Sequence, residues 1–269
     1  MIRIGCCLSI NAVSQPETGS ETVPPFTKLG FDYIELPLAQ MMELSGGDFQ
    51  ELRSKIDAAG VSVETCNNFF PGRLRLTGEE AKPGEALEYV RAAADRAAAL
   101  GVKIIVLGSS GAKNIPPGFP YERARQQFAE LLVKIQDIVA PPGITVALEP
   151  LNTKESNFIT TVAEGLTLVR ELSLKNIKLL ADYYHMRMEN EDLAVIREAG
   201  PCLCHIHIAA KEGRLFPKPG DGEDYGQFFA LLKGVDYQGR VSVEGSSKDL
   251  AADGAEALKL LRALAGSPG

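Results

Sequence analysis

Eight short runs rich in β-branched residues alternate along this chain with longer amphipathic stretches, and this alternation restricts the possible folds most strongly. The predicted strands are Ile2–Ser9, Tyr33–Leu38, Ser62–Phe69, Lys103–Ser109, Ile144–Leu151, Ile177–His185, Leu203–Ala210 and Arg240–Ser246. Several are almost continuously apolar, which is typical of strands buried on both faces of a parallel sheet. Stretches such as Glu85–Leu100 and Tyr121–Val139 instead place apolar residues every three to four positions, as amphipathic helices do. Eight strand–helix rounds predict an α/β fold, a closed (β/α)8 TIM barrel that spans residues 1–269 as one domain.

Composition and charge exclude several classes of function. The 28 Lys and Arg residues against 35 Asp and Glu give a net charge of −7, and no basic block is present, so we expect no nucleic-acid partner. No apolar stretch approaches about 18 residues, so we expect no membrane partner. The first strand lacks the features of a signal peptide, and the five cysteines lack Cys-x-x-Cys spacing. A reduced, cytoplasmic location fits both observations.

Four stretches that contain Gly and Pro each follow a predicted strand. They are Asn11–Pro25, Pro71–Gly84, Gly111–Pro120 and Lys211–Asp224. In a barrel of this type, the connections after the strands lie on the face that carries the active site. We therefore interpret these stretches as extended active-site loops rather than as linkers between domains.

Carboxylates interrupt three of the apolar runs close to their C-terminal ends. Glu149 does so in the fifth strand, Asp182 in the sixth and Glu244 in the eighth. A carboxylate that points into a barrel is desolvated, and several close together repel one another. A divalent cation removes this repulsion, so the pattern predicts a metal site.

The three histidines of the chain fall at the same predicted strand ends. They are His185, His205 and His207. His205 and His207 share one face of the seventh strand, and His207 lies closer to its end, level with the carboxylates. We therefore predict that Glu149, Asp182, His207 and Glu244 hold one divalent metal ion, with His205 one layer below. This oxygen-rich set favours Mn²⁺ first, then Mg²⁺ or Co²⁺, with Zn²⁺ as a further option.

Further polar residues are candidates for contact with a substrate. Glu35 could hydrogen-bond a polar substrate or pair with a cation from a loop, and Glu155 could reach back over the metal site or be solvated. Lys211, Arg214 and Lys218 form a locally basic loop. Such a loop could hold an anionic or hydroxylated substrate, or be a solvated surface. We take Glu35, Glu155 and Arg214 as substrate-binding candidates.

At these residues the sequence resembles the xylose-isomerase-like barrel family of sugar isomerases and epimerases. It is most similar to ketose 3-epimerases of the tagatose and psicose epimerase type, over essentially the whole chain. The motifs that carry the resemblance are Leu148-Glu-Pro-Leu-Asn-Thr-Lys-Glu155, Ala181-Asp-Tyr-Tyr-His-Met186, His205-Ile-His-Ile208 and Val243-Glu-Gly245.

The resemblance implies the same four metal ligands, and it implies that Glu155 and His185 bind substrate. It also assigns the catalytic proton transfers to Glu149 and Glu244. One position departs from the pattern: the family carries a sugar-binding Arg six residues after the metal-binding His. Here that position is Gly213, and Arg214 follows it.

The predicted function is that of a divalent-metal-dependent sugar epimerase or isomerase acting on a small ketose or ketose phosphate. A base removes a proton next to the carbonyl, the metal stabilises the resulting enediolate, and a second carboxylate returns a proton to the opposite face. We expect a small-molecule sugar as the partner, and a homodimer or homotetramer as in relatives.

Other reactions and roles stay open from the sequence. Aldose–ketose isomerisation and a dehydratase of the inosose or dehydroshikimate type start with the same proton abstraction. A non-catalytic sugar-binding barrel would bind ligand without exchanging its protons with solvent. A DNA-repair barrel of the endonuclease IV type needs three metals and more histidines than the three present here.

Overall fold

The computed structural model describes residues 1–8 and 29–266. Its strands are β1 (Arg3–Cys7), β2 (Tyr33–Pro37), β3 (Val63–Asn67), β4 (Ile104–Leu107), β5 (Thr145–Leu148), β6 (Ile177–Asp182), β7 (Leu203–Ile208) and β8 (Arg240–Val243). They pair in chain order, and β1 also pairs in parallel with β8, so the sheet is a closed barrel. The predicted (β/α)8 fold is therefore confirmed. Each strand lies inside its predicted run.

Helices connect the strands on the outside of the barrel. They are α1 (Leu38–Met41), α2 (Gly46–Ala59), α3 (Pro83–Ala99), α4 (Ser110–Lys113), α5 (Tyr121–Val139), α6 (Val162–Leu172), α7 (Tyr183–Met188), α8 (Val195–Ala199), α9 (Tyr225–Gly234) and α10 (Leu250–Ala265). Side chains of Ser45, Thr161 and Asp249 accept a hydrogen bond from the backbone N–H three residues later. These caps satisfy N–H groups that the first helical turn leaves unpaired.

The barrel interior has an apolar part and a polar part. Ile104, Val106, Ala147 and Leu180 form an apolar cluster separate from the larger core between strands and helices. Ala147 and Leu180 each lie two residues before a predicted metal ligand, so strand alternation directs those ligands into the barrel as well. The polar part consists of buried side chains from the remaining strands, among them Glu35, Thr65, His205 and Ser242.

Several other expectations concern features other than the barrel topology. No helix in the described ranges is long and apolar enough to cross a bilayer. The five cysteines are free thiols. The predicted loop Asn11–Pro25 lies outside the described residues, as does Ser9 at the end of the first predicted strand.

Candidate metal centre and active site

Four side chains converge at the C-terminal end of the barrel. Asp182 is the last residue of β6 and His207 lies near the end of β7, whereas Glu149 and Glu244 directly follow β5 and β8. One nitrogen or carboxylate oxygen from each residue lies within 4.8 Å of the others. The structure thus brings together the four predicted metal ligands. Three carboxylates with one imidazole are a donor set suited to a divalent cation such as Mn²⁺.

The contacts of the two ring nitrogens determine the protonation of His207. Nε2 lies 3.0 Å from Oε1 of Glu35, and an ionised carboxylate only accepts hydrogen bonds, so Nε2 carries a proton. In a neutral ring Nδ1 is then an acceptor. It nevertheless faces Oε1 of Glu149 at 3.2 Å and Oε2 of Glu244 at 3.1 Å. Three acceptors this close together require a proton or a metal ion between them, and metal-binding histidines commonly donate their other N–H to a carboxylate.

Glu35 does not occupy the place expected from the sequence. Instead of contacting substrate or a loop cation, its side chain is fully buried, and both carboxylate oxygens bond to protein groups. Oε2 accepts hydrogen bonds from Nε2 of His205 at 2.9 Å and from the hydroxyls of Thr65 and Ser242 at 2.7 Å. The cause is the alternation along β2, which turns Glu35 into the barrel below the strand ends. Glu35 therefore supports the ring of His207, and His205 lies in the layer below.

The carboxylates of the cluster differ in pKa because their neighbours differ. Burial raises the pKa of Glu149 and of Asp182 above the ordinary range of a carboxyl group. Burial acts in the same direction on Glu244, but His207 and Arg214 outweigh it and hold the pKa of Glu244 well below its ordinary value. A cation bound among these side chains would favour the ionised form of all three.

Two residues that the sequence did not single out hold Glu149 in place. Gly108 follows β4, and a Cβ atom at this position would overlap Oε2 of Glu149. Lys113 is fully buried and donates from Nζ to the backbone oxygen of Glu149 at 2.9 Å. Burial lowers the pKa of Lys113 to about 8, although Glu149 favours the charged form.

His185 lies in α7 and not at a strand end, which corrects the predicted extent of the sixth strand. The strand stops at Asp182 because its carboxylate caps α7, accepting a hydrogen bond from the N–H of Tyr184 at 2.8 Å. This turn places Nε2 of His185 3.4 Å from Oδ2 of Asp182. Nδ1 of His185 accepts a hydrogen bond from the backbone N–H of Asn152 at 3.2 Å. In the neutral ring, Nε2 therefore carries the proton.

Arg214 enters the site although it lies one residue beyond the position expected from the motif. Gly213 and Arg214 have φ angles of +65° and +49°, so the backbone passes through two successive residues with positive φ at this point. The guanidinium carbon lies 4.6 Å from the ring centre of Tyr184. The guanidinium also pairs with Glu244, and with Asp182 at 3.4 Å. Arg214 thus brings a positive charge to the carboxylate cluster.

The described residues line a cavity of about 330 Å³ at this end of the barrel. Of the predicted substrate-binding residues, Glu155, His185 and Arg214 line it, whereas Glu35 is not among its lining residues. Lys211 and Lys218 of the basic loop are not among them either. The wall that follows β2, β3 and β4 is polar and uncharged, with Gln40, Asn67, Asn68, Ser109 and Ser110. Sequence reasoning missed this wall. A signal existed for Asn67, which is polar and ends a buried strand just as the carboxylates do.

Comparison with known proteins agrees with the barrel fold. Residues 26–264 match the family model described as xylose isomerase-like TIM barrel. The chain is 27% identical over 238 residues to the 3-dehydro-D-guloside 4-epimerase of Escherichia coli (strain K12), which covers 86% of this chain and 88% of that protein. It is 29% identical over 231 residues to the L-ribulose 3-epimerase of Methylomonas sp. (strain DH-1), which covers 83% and 77%. A crystal structure of a D-psicose 3-epimerase in the presence of D-fructose has the same fold, with a TM-score of 0.85, 22% identity and coverage of 99% and 100%.

The comparisons confirm the resemblance that the motifs indicated. The similar proteins are named as sugar epimerases, and the match to each extends over most of the barrel. This chain is accordingly an isomerase-type enzyme. With a match over residues 26–264, it belongs to the xylose isomerase-like TIM barrel family.

Proposed function

We propose that this chain is a divalent-metal-dependent epimerase or isomerase that acts on a small ketose by moving a proton on a carbon next to the carbonyl. The main support is the convergence of four ligand atoms, from Glu149, Asp182, His207 and Glu244, within 4.8 Å of one another. With a neutral ring, Nδ1 of His207 and the neighbouring carboxylate oxygens are all acceptors, and a divalent cation at this point would satisfy them together.

The balance of charges in the predicted metal cluster and in the layer below it supports an ion with two positive charges. The three carboxylates of the metal cluster and the buried carboxylate of Glu35 carry four negative charges. Two cations face them, namely Arg214 and Lys113. A divalent ion brings this group of charges to neutrality, which lowers the cost of holding the carboxylates away from water.

We assign the proton transfers to Glu149 and Glu244. They reach the cavity from β5 and β8, which are separated around the barrel by β6 and β7. One carboxylate removes the proton next to the carbonyl, and the other delivers a proton to the opposite face of the same carbon. When bound, a divalent cation would polarise the carbonyl oxygen and thereby make the neighbouring C–H more acidic.

Three cavity residues are assigned to binding of the sugar. His185 offers the N–H of Nε2 as a donor, and Arg214 offers its guanidinium. Glu155 lies closer to solvent, 3.7 Å from the guanidinium of Arg214, and offers a carboxylate acceptor. Together they provide donors and an acceptor for sugar oxygens next to the metal cluster.

Exchange of substrate protons with solvent tests this function. The Mn²⁺-loaded protein would be incubated in D₂O with free and phosphorylated ketoses, and proton NMR spectra recorded after removal of protein and metal. Deuterium at carbon 3 with formation of the C3 epimer would support epimerisation, and deuterium at carbon 1 with an aldose product would support isomerisation. Incorporation of deuterium at either carbon should disappear when a chelator removes the metal. A product that lacks one water would identify a dehydratase, and no exchange by metal-loaded protein across the panel would contradict the proposal.

A further inference from the structure

Two oxygen atoms in the uncharged wall of the cavity have no hydrogen-bond partner within residues 1–8 and 29–266. They are Oδ1 of Asn67 and Oε1 of Gln40, and both atoms are buried. Both residues line the cavity next to the metal cluster. A buried acceptor without a donor costs free energy, and proteins rarely leave one unpaired. Two such acceptors in one substrate cavity indicate that the ligand supplies the donors.

The chemistry of Glu244 determines which amide atom of Asn67 is free. The side chain of Asn67 is buried, with the residue only 6% exposed, and one of its amide atoms lies 2.9 Å from Oε1 of Glu244. This carboxylate also pairs with the guanidinium of Arg214, and an ionised carboxylate can only accept. The amide nitrogen of Asn67 must therefore face Glu244, and Oδ1 is left as an acceptor.

Strand alternation explains why Asn67 reaches this position. Thr65 and Asn67 share one face of β3, and Thr65 donates to Glu35 in the layer below. Asn67 lies two residues further on, at the level of the carboxylates. It therefore contacts both a predicted catalytic group and the space that a substrate would fill.

Gln40 reaches the same wall by a different route. Helix α1 begins directly after β2, and within this short helix Gln40 lines the cavity. The cavity residues that follow β2, β3 and β4 include no cationic side chain. A hydroxyl group can donate to the free oxygens of Gln40 and Asn67, whereas an ionised phosphate or carboxylate would meet them acceptor to acceptor.

We propose that Asn67 and Gln40 accept hydrogen bonds from two hydroxyl groups of the sugar, and that Asn67 links this recognition to the placement of Glu244. This inference rests on the proposed function, because the ligand is the ketose assigned there. The substrate class is a ketose with free hydroxyl groups on the part that faces β2 and β3. Gln40 is then a specificity-determining residue, and Asn67 is in addition a positioning residue for Glu244.

Binding of deoxy sugars tests the proposal without requiring turnover. Dissociation constants would be measured by calorimetry for the Mn²⁺-loaded protein with D-psicose, L-ribulose, D-psicose 6-phosphate and the 4-, 5- and 6-deoxy analogues of D-psicose. The proteins are the wild type, Gln40→Leu, Asn67→Leu and the matched control Gln126→Leu, which changes an exposed residue of α5. Thermal melts would verify that each variant is folded.

We expect at least one deoxy analogue to bind the wild type roughly 10-fold more weakly than D-psicose, because a buried acceptor stays unpaired. That loss should disappear in the variant that lacks the acceptor and persist in Gln126→Leu. In steady-state kinetics, Gln40→Leu should mainly raise KM. Asn67→Leu should also lower kcat, because Glu244 loses a donor.

Three results would overturn the proposal. The first is that every deoxy analogue binds the wild type as well as D-psicose does, or that the loss persists in both cavity variants. The second is tighter binding of D-psicose 6-phosphate than of D-psicose. The third is absence of binding by both D-psicose and L-ribulose. Failure of the proposed function is distinguishable, since it appears as absence of deuterium exchange even where a sugar binds.

Discussion

Nε2 of His207 lies 3.0 Å from Oε1 of Glu35, and neither side chain is exposed to solvent. The two residues come from β7 and β2, which are not neighbours in the barrel wall, so they meet across its interior. This contact keeps the proton of a neutral ring on Nε2 and leaves Nδ1 directed at the carboxylates of the cavity. The position of a predicted metal ligand thus depends on a buried carboxylate that is not among the residues lining the cavity.

Replacement of Glu35 by Gln should weaken metal binding without changing any ligand. If the amide oxygen of Glu35→Gln accepts from His205, Thr65 and Ser242, the amide nitrogen must face Nε2 of His207, which is also a donor. We expect the affinity for Mn²⁺ to fall roughly 10- to 100-fold. We also expect the free energy of unfolding to fall by about 1–3 kcal/mol, because a buried donor loses its acceptor.

Calorimetric titration with Mn²⁺ and urea denaturation would measure the two effects. Glu88→Gln, at an exposed position of α3, is the matched control and should change neither quantity. Wild-type affinity for Mn²⁺ in a folded Glu35→Gln protein would contradict a supporting role for Glu35.

Glu149→Gln and Glu244→Gln test the assignment of proton transfer. Each substitution keeps the shape of the side chain and removes its ability to take up a proton. We expect the rate of substrate proton exchange to fall roughly 10²- to 10⁴-fold for either variant. The measurement should be made at saturating Mn²⁺, because both residues are also predicted metal ligands. Turnover at the wild-type rate in either variant would rule out its assigned role.

Gly108→Ala tests the close approach of Glu149 to the backbone after β4. The added Cβ atom would overlap Oε2 of Glu149, so the carboxylate must move. We expect a loss of roughly 1–3 kcal/mol in the free energy of unfolding, together with weaker Mn²⁺ binding. Gly84→Ala in α3 is the control, since nothing lies within 4 Å of its added Cβ. Unchanged metal affinity in Gly108→Ala would mean that Glu149 does not depend on this space.

Lys113→Met should stabilise the metal-free protein while reducing activity. Burial lowers the pKa of Lys113 to about 8, so at neutral pH the folded state holds a charge that it disfavours. Each pKa unit corresponds to about 1.4 kcal/mol. After allowance for the lost hydrogen bond to Glu149, we expect the free energy of unfolding to rise by about 1–3 kcal/mol near pH 7. Activity should fall, because the backbone of Glu149 is no longer held and the carboxylates lose a compensating charge.

The pH dependence of this gain follows from the direction of the shift. The pKa of Lys113 is lower in the folded state than in the unfolded chain. Between about pH 8 and the ordinary lysine pKa, the unfolded chain therefore binds more protons than the folded protein. The wild type therefore becomes more stable as pH rises through this interval, and the advantage of Lys113→Met should shrink. Urea denaturation of chelator-treated wild type and variant at pH 7 and pH 10 measures the difference. An advantage that is absent at pH 7, or that grows with pH, would refute this account of Lys113.

The strands and the metal cluster could be predicted because both depend on local pattern. Several strands are almost continuous apolar runs, and Glu149, Asp182 and Glu244 stand at the carboxyl ends of three predicted strands. Barrel closure then brings residues from distant parts of the chain to one level. The end of β6 was predicted too late, because the capping of α7 by Asp182 depends on a turn that apolar content does not indicate.

Contacts between strands could not be predicted in the same way. The position of Glu35 in its strand predicts a side chain at the C-terminal end of the barrel. The barrel instead places Glu35 in the layer below, against His205 and His207. Lys113 looks in the sequence like any lysine near a loop, but the fold buries it and places its Nζ against the backbone oxygen of Glu149. Pairings of this kind depend on tertiary register, which one sequence does not display.

The most direct test of the central claim is a titration of metal-free protein with Mn²⁺, with the free ion followed by its electron paramagnetic resonance signal. Wild type should be compared with Asp182→Asn. Asn also caps helices well, so α7 should stay intact while one charged ligand is lost. We predict one tightly bound Mn²⁺ per wild-type chain. In Asp182→Asn the affinity for Mn²⁺ should fall by at least about 100-fold, which is more than the loss of a residue that only supports a ligand causes. A wild-type chain that binds no Mn²⁺, or a variant that binds it equally well, would contradict the assignment of this cluster as the metal centre.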